Sequence, residues 1–189
     1  RFPRTIRAFR DAHPAVRLAL IERTTLQQFE CLLDGRQDIG LIRGLAAPAP
    51  LVAWKLLDDP LVAVLRADHP LARRKRASLR MEELADEGFL VFTRASGTGI
   101  YDQLLTMCRH AGFMPRITQE AGESSTMIGL VAAGMGVAVL PRSMRHVHME
   151  GVAYVPIASP DAASALYLAH RRDDTSPLVK AFTQLMRKA

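Results

Sequence analysis

Two stretches of this chain carry residue types suited to holding a small anion, and each stands where a helix is expected to follow a strand. Thr25 comes after the alternating run Val16, Leu18, Leu20 and offers a hydroxyl beside the N–H groups that open the next helix. Ser96-Gly97-Thr98-Gly99 comes after the apolar run Phe89–Phe92, and its glycines remove side chains that would keep a ligand from the backbone. Unpaired N–H groups and the dipole at a helix start favour negative charge. In open α/β sheets such starts cluster past the carboxyl ends of strands, where ligands bind. Each stretch also has a purely structural use. Thr25 suits a helix cap equally well. The 97–99 turn lacks the Lys of a P-loop and the spacing of a dinucleotide motif, which argues against nucleotides.

Other residues with chemical potential read as structural. His146 and His148 have metal-ligand types but no third ligand, so they are expected at the surface. His69 belongs to a turn, and Gly134-Met135-Gly136 reads as a helix end and tight turn rather than a phosphate cradle. Cys31 and Cys108 lie in helical patterns with no activating base nearby in sequence, and are expected to be reduced core thiols. Met107, Met127 and Met186 sit at helical positions expected to pack a core. No nucleophile–base pair, metal cluster or cofactor fingerprint stands out, so neither a catalytic set nor a cofactor is expected.

The elements that would position these residues follow from periodicity. Phe2, Ile6 and Phe9 have helical spacing, and Pro14 stops that helix. Val16–Glu22 alternates as a strand. Thr24 and Thr25 are cap types, followed by Leu26, Phe29, Leu32 and Leu33 as the apolar face of a second helix that Gly35 ends. Ile39–Ile42, 52–57 and 61–65 read as strands. Ser78 is expected to cap a short helix through Leu84. Phe89–Phe92 is a strand, and Leu104, Leu105 and Cys108 mark a helix that ends at Gly112. A weak strand at 116–120 precedes a helix capped by Ser124 or Ser125. Strands at 137–140, 152–156 and 166–169 follow, then a helix with Leu178, Phe182, Leu185 and Met186 inward. This strand and helix alternation predicts an α/β fold with mainly parallel sheets.

Of the 189 residues 49% are hydrophobic and 23% charged, which supports a packed core in one large domain or two lobes. No apolar run is long enough to span a membrane. The net charge of +6 invites nucleic acid as a partner, but the basic residues are scattered. The densest stretch, Arg73-Arg74-Lys75-Arg76, lacks interleaved aromatics and reads as a solvated loop. The chain opens on RFPRTIRAF, already inside a helical pattern and with no signal peptide, and is expected to be a fragment of a longer protein.

Five segments, in order, resemble the LysR-type regulators. FRDAHPAVRLALIE resembles the family's helix, His-Pro stop and strand. LLDGRQDIGLIR is similar to its second helix and following strand, and LVAVLRADHPLA to the strand that crosses between lobes. GLVAAGMGVAVLP is close to its helix-Gly-x-Gly-strand-Pro signature, and YVPIASPDAASALYLAHR to the return strands. The detail is closest to the branch that senses benzoate, muconate or chlorocatechol. The resemblance implies two Rossmann-like lobes joined by two crossover strands, a fold of the periplasmic-binding-protein type II kind. Lobe I would take residues 1–64 and 167–189, and lobe II residues 65–166. The winged helix-turn-helix and the first strand of lobe I are not among the residues of this chain.

The same resemblance implies an effector site at Thr25, Leu41, Ile42, Arg43, Gly97, Thr98, Gly99, Ile100 and Glu123. Arg43 would hold a carboxylate through its planar donors and can pair with Glu123. Leu41, Ile42 and Ile100 would carry the apolar body of an aromatic acid. Implied partners are a small organic anion, an antiparallel homodimer formed through the first helix near Phe2, Ile6, Phe9 and Ala12 and an edge of the other lobe, and a tetramer of the full-length protein. Promoter DNA would be bound through the missing N-terminal domain, and the location would be cytoplasmic. The competing reading is a transporter's solute-binding protein, which shares the fold. An enzyme on the same scaffold has the least support.

Overall fold

The computed structural model describes residues 2–44, 46–74, 76–94 and 99–188. The chain divides into two compact units, Arg1–Leu57 with Leu166–Ala189, and Asp58–Ala165.

The first unit is built on α1 (Phe2–Ala12), α2 (Thr25–Leu33), β1 (Ile39–Arg43), β2 (Leu51–Asp58), β8 (Ala165–Arg171) and α6 (Pro177–Lys188). Its sheet has the order β1-β8-β2, with β1 antiparallel to β8. Phe9 of α1 meets Phe182 of α6 edge-on at 5.2 Å, so helices from opposite ends of the sequence share one core with Leu56 and Leu168. Phe29, Leu32, Ile42, Leu51 and Ala169 form a second cluster beneath α2. The α2 face differs from the expected one. Leu26 and Leu33 are exposed, while Thr25, Gln28, Phe29, Cys31 and Leu32 are buried.

The second unit carries β3 (Leu61–Arg66), α3 (Pro70–Arg73), β4 (Gly88–Phe92), α4 (Ile100–His110), β5 (Arg116–Ala121), α5 (Ser124–Ala132), β6 (Val137–Pro141) and β7 (Val152–Pro156). Its sheet order is β5-β4-β6-β3-β7. The strands β3, β4 and β6 are almost wholly buried, as continuous apolar strands covered on both faces should be. Met107, Met127 and Cys108 complete this core, and Met186 is buried in that of the first unit.

Three expectations need correction. The sheets are not mainly parallel: β4 runs parallel to β5 and β6, but β3 is antiparallel to both β6 and β7, and β1 to β8. The reason is that β1 and β3 pair with strands distant in sequence, β8, β6 and β7, so no local strand-helix-strand crossover fixes their direction. Val16–Glu22 is not a strand. It has the alternation without a ladder partner among the described residues, and Leu20 and Ile21 are 62% and 57% exposed. Finally, Ser78 is not a cap. A short 3-10 turn, Met81–Leu84, starts after Arg80, whose N–H donates to Glu83 Oε2 at 2.9 Å.

Candidate functional site

The opening of α2 is held by a reciprocal pair. Gln27 N–H donates to Thr24 Oγ1 at 3.3 Å, and Thr24 N–H donates to Gln27 Oε1 at 3.0 Å. Thr24 is therefore the cap, and Thr25 has another task. Its hydroxyl donates to the Arg43 carbonyl at 3.2 Å and accepts from the Arg43 N–H at 3.3 Å. The first N–H groups of a helix have no intrahelical partner, so the start of α2 is seated against the carboxyl end of β1 with donors at its tip.

The same edge of β1 is closed along its length. The Gln28 carboxamide donates to the Leu41 carbonyl at 2.8 Å and accepts from the Leu41 N–H at 2.8 Å. Gln37 Nε2 donates to the Ile39 carbonyl at 2.9 Å. Residues 39, 41 and 43 share one strand edge by the two-residue period. Thr25, Gln28 and Gln37 thus satisfy backbone groups there that a neighbouring strand would otherwise take. Gly40 makes room for this: a Cβ there would stand 3.0 Å from both Gln28 Oε1 and Leu32 Cδ1. Sequence reasoning missed Gln28 and Gln37. For Gln28 the signal was a polar residue at an inward position of an amphipathic helix, whereas Gln37 lies past the end of that helix and carried no such signal.

Neighbouring β1 residues point to opposite sides. Ile42 is 1% exposed in the cluster beneath α2, whereas Leu41 is half-buried and packs toward the Phe9–Phe182 core. Arg43 is half-buried at the strand's end. Cys31, in the middle of α2, is buried, and Arg23 Nη1 lies 3.4 Å from its Sγ, a neighbour that sequence spacing did not reveal.

In the second unit, β4 and β5 run parallel, and their last residues Phe92 and Ala121 are in register. Both lead into helices, so Ile100 at the start of α4 and Glu123 before α5 follow the carboxyl ends of adjacent parallel strands. Gly99 takes the left-handed conformation, φ +69°, before α4. Glu123 is the cap residue of α5, in place of Ser124 or Ser125, and caps through its carbonyl, which accepts from Met127 N–H at 3.1 Å. Ile100 is buried in the core. Gly97 and Thr98, with Ser96, lie outside the described residues. The structure thus joins Thr25 to Arg43 directly and sets Gly99, Ile100 and Glu123 after neighbouring strands of the other unit.

Residues read as structural take such places. His69 Nδ1 accepts from Leu71 N–H at 3.2 Å, and His69 Nε2 meets Glu87 at 3.1 Å. Arg74 and Arg76 lie 2.6 and 3.5 Å from Glu83. The Arg80 N–H, and then these cations, hold the Glu83 carboxyl below its usual range. His146 and His148 are exposed.

The model of the LysR substrate binding domain family matches residues 1–189. The chain belongs to this family. Among its LysR-type relatives, the uncharacterized HTH-type transcriptional regulator YnfL of Escherichia coli is 40% identical over 179 residues, 94% of this chain and 60% of the relative. HTH-type transcriptional regulator CatR of Pseudomonas putida is 37% identical over 178 residues, again 94% of this chain and 60% of the relative. The chain therefore spans about three fifths of these regulators. The effector-binding domain of a BenM variant superposes with a TM-score of 0.90 at 29% identity, covering 98% of this chain and 86% of that one. The BenM domain with its effector benzoate gives 0.87 at 29% identity, covering 98% and 84%. This LysR effector-binding domain has the periplasmic-binding-protein type II-like fold. Its named relatives are transcriptional regulators, not the solute-binding proteins of transporters, so the competing reading falls. Among the described residues no helix is long and apolar enough to cross a membrane.

Proposed function

We propose that this domain senses a small organic acid, of the aromatic or muconate class, for a cytoplasmic LysR-type transcriptional regulator, and acts by binding rather than catalysis. The observation that carries the reading is the tip of α2 pinned by Thr25 to the end of β1 beside Arg43. Helix donors and a guanidinium there suit a carboxylate, and the Thr25 hydroxyl, whose proton goes to the Arg43 carbonyl, holds that tip in place. Likeness to a BenM domain whose structure holds benzoate supports the ligand class. Leu41 is the neighbouring apolar surface. Ile42 and Ile100, both in cores, would shape the site from behind. Gly97, Thr98, Gly99 and Glu123 are proposed as further effector-contacting positions.

Only a ligand with different affinity for two states can shift their populations, so the effector is expected to favour one arrangement of the full-length oligomer. That oligomer is proposed as a tetramer whose effector domains pair through α1. Promoter DNA would be bound by an N-terminal winged helix-turn-helix, and this chain alone should show no sequence-selective gel shift.

Calorimetric titration with benzoate, cis,cis-muconate and chlorinated analogues tests the reading. At least one acid is expected to bind, and Arg43→Ala combined with Thr25→Val should remove the heat. Affinity unchanged in the double variant, or no binding by any of these acids, counts against the assignment.

A further inference from the structure

Asp59 is a buried carboxylate in the two-residue link between β2 and β3, 4% exposed. A buried acid needs partners, and both of its oxygens have one. Oδ1 accepts from Ser143 N–H at 2.8 Å, and Oδ2 from Ser143 Oγ at 2.7 Å. The backbone around it is equally tied. Asp59 N–H donates to the Ser164 carbonyl at 2.8 Å, and Arg142 N–H donates to the Pro60 carbonyl at 2.8 Å.

These bonds matter because of where the chain passes between its two units. It leaves the first unit after Leu57 and returns after Ala165. Asp59 and Pro60 lie on the outgoing passage and Ser164 on the returning one. Arg142 and Ser143 open the 3-10 turn that follows β6, whose core strand is wholly buried. One residue therefore fastens both passages to each other and to the body of the second unit.

We infer that Asp59 is the anchor of both connections, confining bending to the peptide groups at Leu57–Asp58 and Ala165–Leu166 so that the two passages move as one. Hinges of this kind work through a few residues at element ends, and a firm anchor reduces the number of ways they can bend. The inference does not depend on which effector binds.

The test combines amide hydrogen exchange with pulsed electron spin resonance between nitroxides at Lys180→Cys and Arg109→Cys, one label in each unit. The native thiols Cys31 and Cys108 are buried. Asp59→Ala is expected to speed exchange at Asp59, Arg142 and Ser143 by about ten-fold, the loss of one well-made bond. Val62–Leu65 should stay within about two-fold, and the distance distribution between labels should broaden. Asp59→Asn keeps an acceptor for the Ser143 N–H and a donor for its Oγ, and should restore both readouts. If Asp59→Ala does not fold, Ser143→Ala removes one bond only and should give the same pattern in smaller measure. An unchanged distribution despite released amides would overturn the inference. So would exchange rising evenly through β3, or an asparagine variant as loose as the alanine one.

Discussion

Thr25 and Arg43 are joined through hydroxyl and backbone, not through charge: one Oγ1 donates to the Arg43 carbonyl at 3.2 Å and accepts from the Arg43 N–H at 3.3 Å. The Thr25 hydroxyl is thus a structural pin before it is a ligand contact, and the two roles can be separated. Thr25→Val keeps the shape and removes both bonds, leaving a strand end unpaired. It should cost about 1–2 kcal/mol in urea denaturation. Thr25→Ser retains the hydroxyl and should stay within about 0.5 kcal/mol of the parent. A loss in Thr25→Ser with none in Thr25→Val would show that the methyl group, not the hydroxyl, matters there.

Gln28 performs the larger part of the same task. Its carboxamide answers both the N–H and the carbonyl of Leu41 and also reaches the Arg23 carbonyl at 3.1 Å. Gln28→Leu is close in volume and better suited to a helix interior, so propensity alone would predict a gain. Three backbone groups lose this partner, however, and the net change should be a loss of about 2–3 kcal/mol in thermal or urea unfolding. A neutral result would mean that water replaces the carboxamide.

Much of this was legible in the sequence, and what escaped it has physical causes. The buried runs at 61–65, 89–92 and 137–140 declared themselves because strands covered on both faces carry uninterrupted apolar residues. Val16–Glu22 misled because alternation records which side faces a core, whereas a strand also needs a neighbour to bond. Leu26 and Leu33 misled because hydrophobic type alone does not fix the inner face of α2, while Gln28 holds that place through hydrogen bonds that no periodicity reports. At the site, residue type identified Thr25 as useful but could not tell a cap from a pin. That distinction depends on Arg43, eighteen residues away.

Arg171 secures the other end of α2. Its Nη1 donates to the Leu32 carbonyl at 2.9 Å and the Gln37 carbonyl at 2.7 Å, while Nη2 meets Asp174 at 2.7 Å and Asp38 at 3.3 Å. The side chain is 22% exposed, so these bonds are partly shielded from water. Arg171→Lys supplies one point charge where a planar fork reached four acceptors, and should cost about 1–2 kcal/mol. Arg171→Met leaves Asp174 without its cation and should cost about 3 kcal/mol or more. Urea denaturation of the two variants gives the order, and lysine as damaging as methionine would contradict the charge argument.

Gly136 has φ +148°, and a Cβ there would lie 2.3 Å from the Gly88 carbonyl oxygen. Backbone cannot retreat as a flexible side chain would. Gly136→Ala should therefore cost at least about 2 kcal/mol and loosen β4 against β6, visible as faster amide exchange in Phe89 and Leu90. Gly122 has open space around it, and Gly122→Ala is the control, expected to be nearly silent.

Cys108 gives a pH signature. Burial alone pushes its thiol up from 9.0 to about 12, since the thiolate would be stripped of water. The folded chain keeps the proton that the unfolded chain releases near pH 9, so the stabilising contribution is whole below pH 9. It is lost as the pH rises toward the folded value of about 12. Across that window the slope should approach about 1.4 kcal/mol per pH unit for this one proton. Other groups titrate there too, so the measurement is the difference between the parent and Cys108→Ala in urea denaturation from pH 8 to 11. Near neutrality the parent should be the more stable, because alanine leaves a small void. That advantage should shrink steadily above pH 9, and thiol reagents should leave Cys108 unmodified in the folded chain at pH 8. A difference that stays constant up to pH 11 would mean the thiol is reached by water and is not the sealed core group that its surroundings in α4 describe.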